Sequence, residues 1–159
     1  MTAGAYRISD EPRPGALSAL VFEPFWPLVA AMLAGSWLAL PWFALNGAAV
    51  GSPTWRRELG WIALGLAVSA AGALGLLAVA HGLPRWAVRS LVVVLVAWRL
   101  LVAYRLHELQ RGPVELFRWH GGAVRNGALV AVLAAFVAGP ALTRAVPASL
   151  QDLFFLVLG

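Results

Sequence analysis

The sequence predicts an all-α polytopic membrane protein of four transmembrane helices arranged as two hairpins. Three observations carry this. Of the 159 residues, 61 % are hydrophobic and 12 % charged, and the mean hydropathy is +0.79, whereas a soluble domain has about a quarter of its residues charged. Apolar runs of about 20 residues recur, the length a helix needs to cross about 30 Å of hydrocarbon. Tryptophans gather near the ends of those runs, as in the aromatic belts of bilayer proteins.

The composition also excludes chemistry. There is no cysteine, which removes disulfides, thiolate metal sites, iron–sulfur clusters and covalently attached c-type haem. All twelve basic residues are arginines. They are scattered among apolar runs, a pattern that suits anchoring to anionic lipid headgroups and not nucleic-acid binding.

Residues 1–23 carry Arg7, Asp10, Glu11 and Arg13. This mixed charge does not read as a signal peptide, and a loose polar tail is expected. The transmembrane domain is expected over 24–146. Its first span covers about 24–45: Pro24 and Pro27 suit a first helical turn, and Pro41 should kink or end the helix. The second span, about 59–80, carries no charge. The third, about 86–106, is valine-rich, and the fourth, about 124–146, has Pro140 near its end. No run alternates as a barrel strand would, and a lipid-facing backbone must satisfy itself internally, so helix is the expected form.

Three connectors separate the spans. Asn46 to Glu58 is a turn-rich loop, and His81 to Arg85 a tight turn. In the longer stretch from His107 to Arg125, Gly112-Pro113 marks a helix start, so PVELFRWH is expected as a short helix in the membrane interface. The last segment, 147–159, is too short to span and reads as interfacial or re-entrant.

In this layout Trp42, Trp55, Trp61 and Trp119 fall on one side, and Trp26 and Trp86 on the other. The first side holds Arg56, Arg57, Arg105, Arg111, Arg118 and Arg125; the opposite side holds Arg7, Arg13, Arg85, Arg89 and Arg144. The positive-inside rule then puts the first and third connectors in the cytoplasm and both termini outside. Arginine without lysine points to a GC-rich bacterial genome and so to a multi-pass protein of the bacterial inner membrane.

Lipid tails give no hydrophobic drive between helices, so small residues must allow close approach. The candidates are Gly35 in the first span, Gly65, Ser69 and Gly72 in the second, and Gly139 in the fourth. The third span lacks such a stripe and is expected to face lipid or a partner.

Arg99 is the most informative position, because a charge near the middle of a span is expensive and needs a partner. Its side chain leans towards the helix N-terminus while the nearer interface is C-terminal, so snorkelling is only half available. Glu58, opening the second span, is the expected partner, with Asn46 as a second candidate. His107, Glu108, Glu115 and His120 form the one metal-like grouping; their spacing matches no ligand motif, so solvated side chains are expected and no cofactor is implied.

The small-residue first span, the turn with Asn46 and Arg56-Arg57, and the polar connector from Glu108 to Arg125 resemble those of small bacterial four-span membrane proteins. That resemblance covers Phe25 to Leu142, and implies no activity, since none is assigned to those families. The sequence reading of function is therefore a non-enzymatic accessory, scaffold or assembly subunit, packed against itself as a homo-oligomer or against another membrane protein. The alternative is a small transporter or channel subunit in which Arg99 contacts an anion or a lipid headgroup.

Overall fold

A computed structural model describes residues 15–159. Among these residues the protein is all-helical, with no strands. The helices are α1 (Phe25–Leu33), α2 (Ser36–Val50), α3 (Trp55–Val79), α4 (Arg85–Trp119), α5 (Ala128–Leu133), α6 (Gly139–Ala145) and α7 (Ala148–Val157). A π-helical turn, Ala134–Ala138, joins α5 to α6.

Three helical segments are long and apolar enough to cross a membrane: Trp55–Gly82, Arg85–Trp119 and Ala128–Ala145. The expected first span, 24–45, is not one of them, because the helix breaks at Gly35. Gly35 has φ +96°, a backbone region that side-chain-bearing residues avoid. The chain reverses there, so that α1 and α2 form an antiparallel hairpin. Phe22 and Trp42 meet edge to face at 5.3 Å, and the Phe22 amide donates to Asn46 Oδ1 at 2.7 Å. Trp26 and Trp42, assigned to opposite belts by the sequence, both press on Gly127, where an added Cβ would come within 2.8 Å of each. Pro41 lies inside α2 without ending it.

The antiparallel α3–α4 pair forms the long axis of the bundle. Val102 fills the space left by Gly65, and Leu95 that left by Gly72. Ser69 is buried on the same face. The valine-rich helix is thus the main partner of the glycine-bearing one, not a lipid-only surface, although Val93 and Val94 do face outwards. The third helix does not stop at Leu106. It runs unbroken for 35 residues through Pro113, about 52 Å at helical rise, and so absorbs the short interfacial helix expected over 113–120. Its buried stripe explains the continuity: Val102, Leu106, Val114 and Phe117 recur at helical spacing on one face.

The expected fourth span is realised as α5, the π-turn and α6. Pro140 cannot donate to the helical ladder and crowds the preceding turn, and the widened π-turn just before it relieves that conflict. After Pro147 the chain reverses again. Helix α7 returns along α3, and its end reaches the hairpin tip, where the Trp37 amide donates to Leu158 O at 3.3 Å.

Residues 1–14 lie outside the described part, and residues 15–23 do not behave as a loose tail. Val21 is fully buried with Ala49, Val50, Val114 and Phe117, and the segment pairs with the α4–α5 connector through Arg125 N to Val21 O at 2.8 Å. Large apolar side chains cover the outside, among them Trp86, Leu129 and Phe136. An apolar exterior of this extent suits lipid.

A methyl group at Gly35 would strain the positive φ and collide with the Leu158 carbonyl. Gly35→Ala should cost about 1–3 kcal/mol, read as a lower thermal midpoint in detergent. Gly75→Ala, which meets nothing within 4 Å, should be neutral or slightly stabilising.

Candidate functional site

Among the described residues two polar centres lie within the apolar bundle. The first joins α2, α3 and α4. Helix α2 ends at Gly51, whose left-handed φ of +66° closes the turn, and the reversal aims Ser52 and Thr54 at the first turn of α3. Glu58 sits in that turn, where the helix dipole favours an acidic side chain. Its Oε1 lies 2.5 Å from Ser52 Oγ and 2.9 Å from Thr54 Oγ1. Its Oε2 accepts from Gln110 Nε2 at 2.7 Å. Gln110 also donates to Phe43 O at 2.6 Å and accepts from Asn46 Nδ2 at 3.1 Å. Asn46 in turn accepts the Phe22 amide.

Asn46, Glu58 and Gln110 are all buried, the last two completely. The chain of bonds runs from the N-terminal segment through three helices. It is sealed on one side by the cluster around Val50 and Val114 and on the other by Phe43 and Leu106. Gly47 allows the close approach, since a Cβ there would strike Glu58 Oε2. Such a network, with each partner satisfied, fixes register and does not offer an open site.

The second centre is Arg99, and it does not reach Glu58. The register is the reason: Gly65 faces Val102 and Gly72 faces Leu95, which sets Arg99 level with the middle of α3, while Glu58 lies at its start. Arg99 Nη1 instead donates to Phe155 O at 3.1 Å, one of the last carbonyls of α7. A cation at the negative end of a helix dipole is a favourable pairing. Only this hydrogen bond is formed by Arg99 among the described residues, leaving four of the five guanidinium donors for something else.

Arg99 borders an open cavity of about 490 Å³, within the roughly 300–1,000 Å³ usual for small-molecule sites. Its walls come from every interrupted element: the hairpin tip at Gly35, Ala135 of the π-turn, Gly139 and Pro140, and Phe154 and Phe155 of α7. Besides Arg99, the polar side chain best placed is Thr143, and it is engaged with Gly139 O at 2.9 Å. Gly139, expected as a packing residue, thus lines the cavity.

The metal-like grouping does not assemble. Among the described residues no three His, Asp or Glu side chains converge. His107 stands 3.9 Å from Glu108, Glu115 pairs with Arg111 at 3.0 Å, and His120 Nδ1 turns back to Leu116 O at 2.8 Å, closing the C-terminus of α4.

Sequence reasoning missed Gln110. The signal was present: Gln110 continues the Val102–Leu106 spacing, and a glutamine on a buried stripe must find partners. It was hidden by ending the helix at Leu106. Together these features define a helical protein fit for a membrane, with a closed polar clamp at one end and an arginine-lined cavity at mid-length. Comparison with protein families, curated proteins and solved structures finds no match for the chain.

Gln110→Leu would remove partners from Glu58, Asn46 and Phe43 O at once. It should lower stability by roughly 3 kcal/mol, measured by unfolding in detergent, while Arg111→Gln on the exposed face should change it little.

Proposed function

We propose that this protein is an integral membrane protein that binds an anion at Arg99 and serves as a small transporter or channel subunit. The observation that carries the reading is the meeting of two broken elements at one half-buried arginine. The α1–α2 hairpin and α7 approach it from opposite ends of the bundle, and none of their helices, of 9, 15 and 10 residues, has the roughly 20 residues of a membrane span. Irregular backbone at membrane depth is tolerated where it is enclosed by protein or lines a cavity, and transporters build substrate sites from such discontinuous helices near the midplane. A scaffold would need neither a cavity nor a guanidinium with unused donors. We therefore prefer the transporter or channel reading to the accessory one.

The same geometry supports a different orientation from the one the sequence alone suggests. With three crossings and a re-entrant hairpin, the N-terminal segment, the α2–α3 turn and the α4–α5 connector share one face. That face holds Arg56, Arg57, Arg105, Arg111, Arg118 and Arg125, against Arg85, Arg89 and Arg144 opposite. By the positive-inside rule this arginine excess favours a cytoplasmic face, with the N-terminal segment inside.

Proteoliposomes test the function. The wild-type protein should release at least one of a panel of labelled anions (chloride, inorganic phosphate, acetate and laurate). Arg99→Leu should abolish that flux while eluting from a sizing column as wild type does. Loss of assembly with no wild-type flux would return the account to a scaffold.

A further inference from the structure

The cavity combines one cation, Arg99, with walls that are mostly apolar, Trp37, Thr143 and the Gly159 backbone adding the other polar groups, and this combination points to the class of its ligand. We infer that the occupant is an amphiphilic monoanion, a carboxylate or phosphate group carrying an acyl chain, with its head on Arg99 and its tail along the cavity wall. The inference rests on the anion-binding reading of Arg99 and names the class of anion.

The head follows from the guanidinium. A planar fork of donors matches a carboxylate or phosphate in a two-bond arrangement, and Arg99 has those donors to spare after its single bond to Phe155 O. One guanidinium balances one negative charge. A small hydrated anion such as chloride would have to exchange its water shell for Arg99 and hydrocarbon, since Thr143 is already committed to Gly139 O; an incompletely replaced shell is costly.

The tail follows from the walls. Met32, Leu33, Val96 and Phe155 line the cavity, and all four are exposed, so the cavity communicates with the outside of the bundle. At the level of Arg99 that outside is lipid in the membrane reading. A ligand can enter sideways from the bilayer with its chain still in hydrocarbon and only its head changing surroundings. Two sources share this chemistry, a free fatty acid and an anionic phospholipid.

Trp37 lines the same cavity and reports on its contents. The experiment follows quenching by a bromine-labelled long-chain carboxylate in detergent-solubilised protein. The Trp37 contribution is the difference between wild type and Trp37→Phe. Saturable quenching is expected, reversed by laurate and not by acetate or inorganic phosphate at equal concentration. Arg99→Gln, which keeps a donor for Phe155 O but loses the charge, should weaken it about tenfold or more, the equivalent of one charge-assisted hydrogen bond. Displacement by acetate or phosphate as effective as by laurate would overturn the inference and leave the anion reading standing. Quenching unchanged in Arg99→Gln would overturn both. Nanodiscs of brominated phosphatidylglycerol or phosphatidylcholine then separate the sources: added Trp37 quenching with the anionic lipid alone identifies a phospholipid, and none with either lipid identifies the free acid.

Discussion

A chain that enters hydrocarbon must satisfy its own backbone, and in the proposed membrane setting the break at Gly35 is where this chain has least help from regular structure. A helix that ends mid-bundle leaves amides at the start of the next helix without intrahelical acceptors. Here the Trp37 amide is taken by Leu158 O, and the neighbouring Phe155 carbonyl of α7, which also accepts the Gly159 amide, takes a second bond from Arg99. The hairpin, the C-terminal helix and the arginine are therefore three parts of one solution. The three meet through these bonds, and the space left between them is the cavity.

The polar clamp of Asn46, Gln110 and Glu58 makes this arrangement possible from the other end. A hairpin inserted part-way has too little apolar contact to hold its depth, because lipid competes equally for its side chains. Hydrogen bonds from the Phe22 amide to Asn46 and on to Gln110 tie both hairpin legs to α4. Those from Gln110 to Phe43 O and Glu58 tie α2 to α3. With the base fixed, the tip reaches the level of Arg99. Small residues do the remaining work where two helices must approach closely, at Gly65 and Gly72.

Much of the helical character was legible in the sequence, because composition and run length depend on the solvent and little on topology. The valine-rich helix starts at Arg85 and the segment that carries Pro140 at Ala128, against expected starts near 86 and 124. The hairpin was not legible by the same reasoning. Hydropathy over 24–45 cannot distinguish one crossing from two half-crossings of equal apolar content. Gly35 was visible as a small residue, but its positive φ is a property of the fold. The length of α4 is masked in the sequence by Gly112-Pro113, which in isolation marks the start of a new helix and which the buried face from Val102 to Phe117 overrides. Arg99 was identified as needing a partner, yet a carboxylate was sought. The partner is a helix carbonyl, and every residue supplies one, so no sequence pattern marks it. Asn46 and Glu58 were singled out and do share a network, joined by Gln110 and not by Arg99.

The central claim is that the chain turns back at Gly35, so that residues before α1 and after α2 lie on the same face. The protein has no cysteine, which makes single-cysteine labelling clean. Ala16→Cys, Pro53→Cys and Gly82→Cys, all at exposed positions, are treated in oriented membranes with a thiol reagent that does not cross the bilayer. The account predicts that Ala16→Cys and Pro53→Cys react from one side and Gly82→Cys from the other. Labelling of Ala16→Cys and Pro53→Cys from opposite sides would mean that the first apolar segment crosses the membrane, and would contradict the hairpin and the cavity built on it.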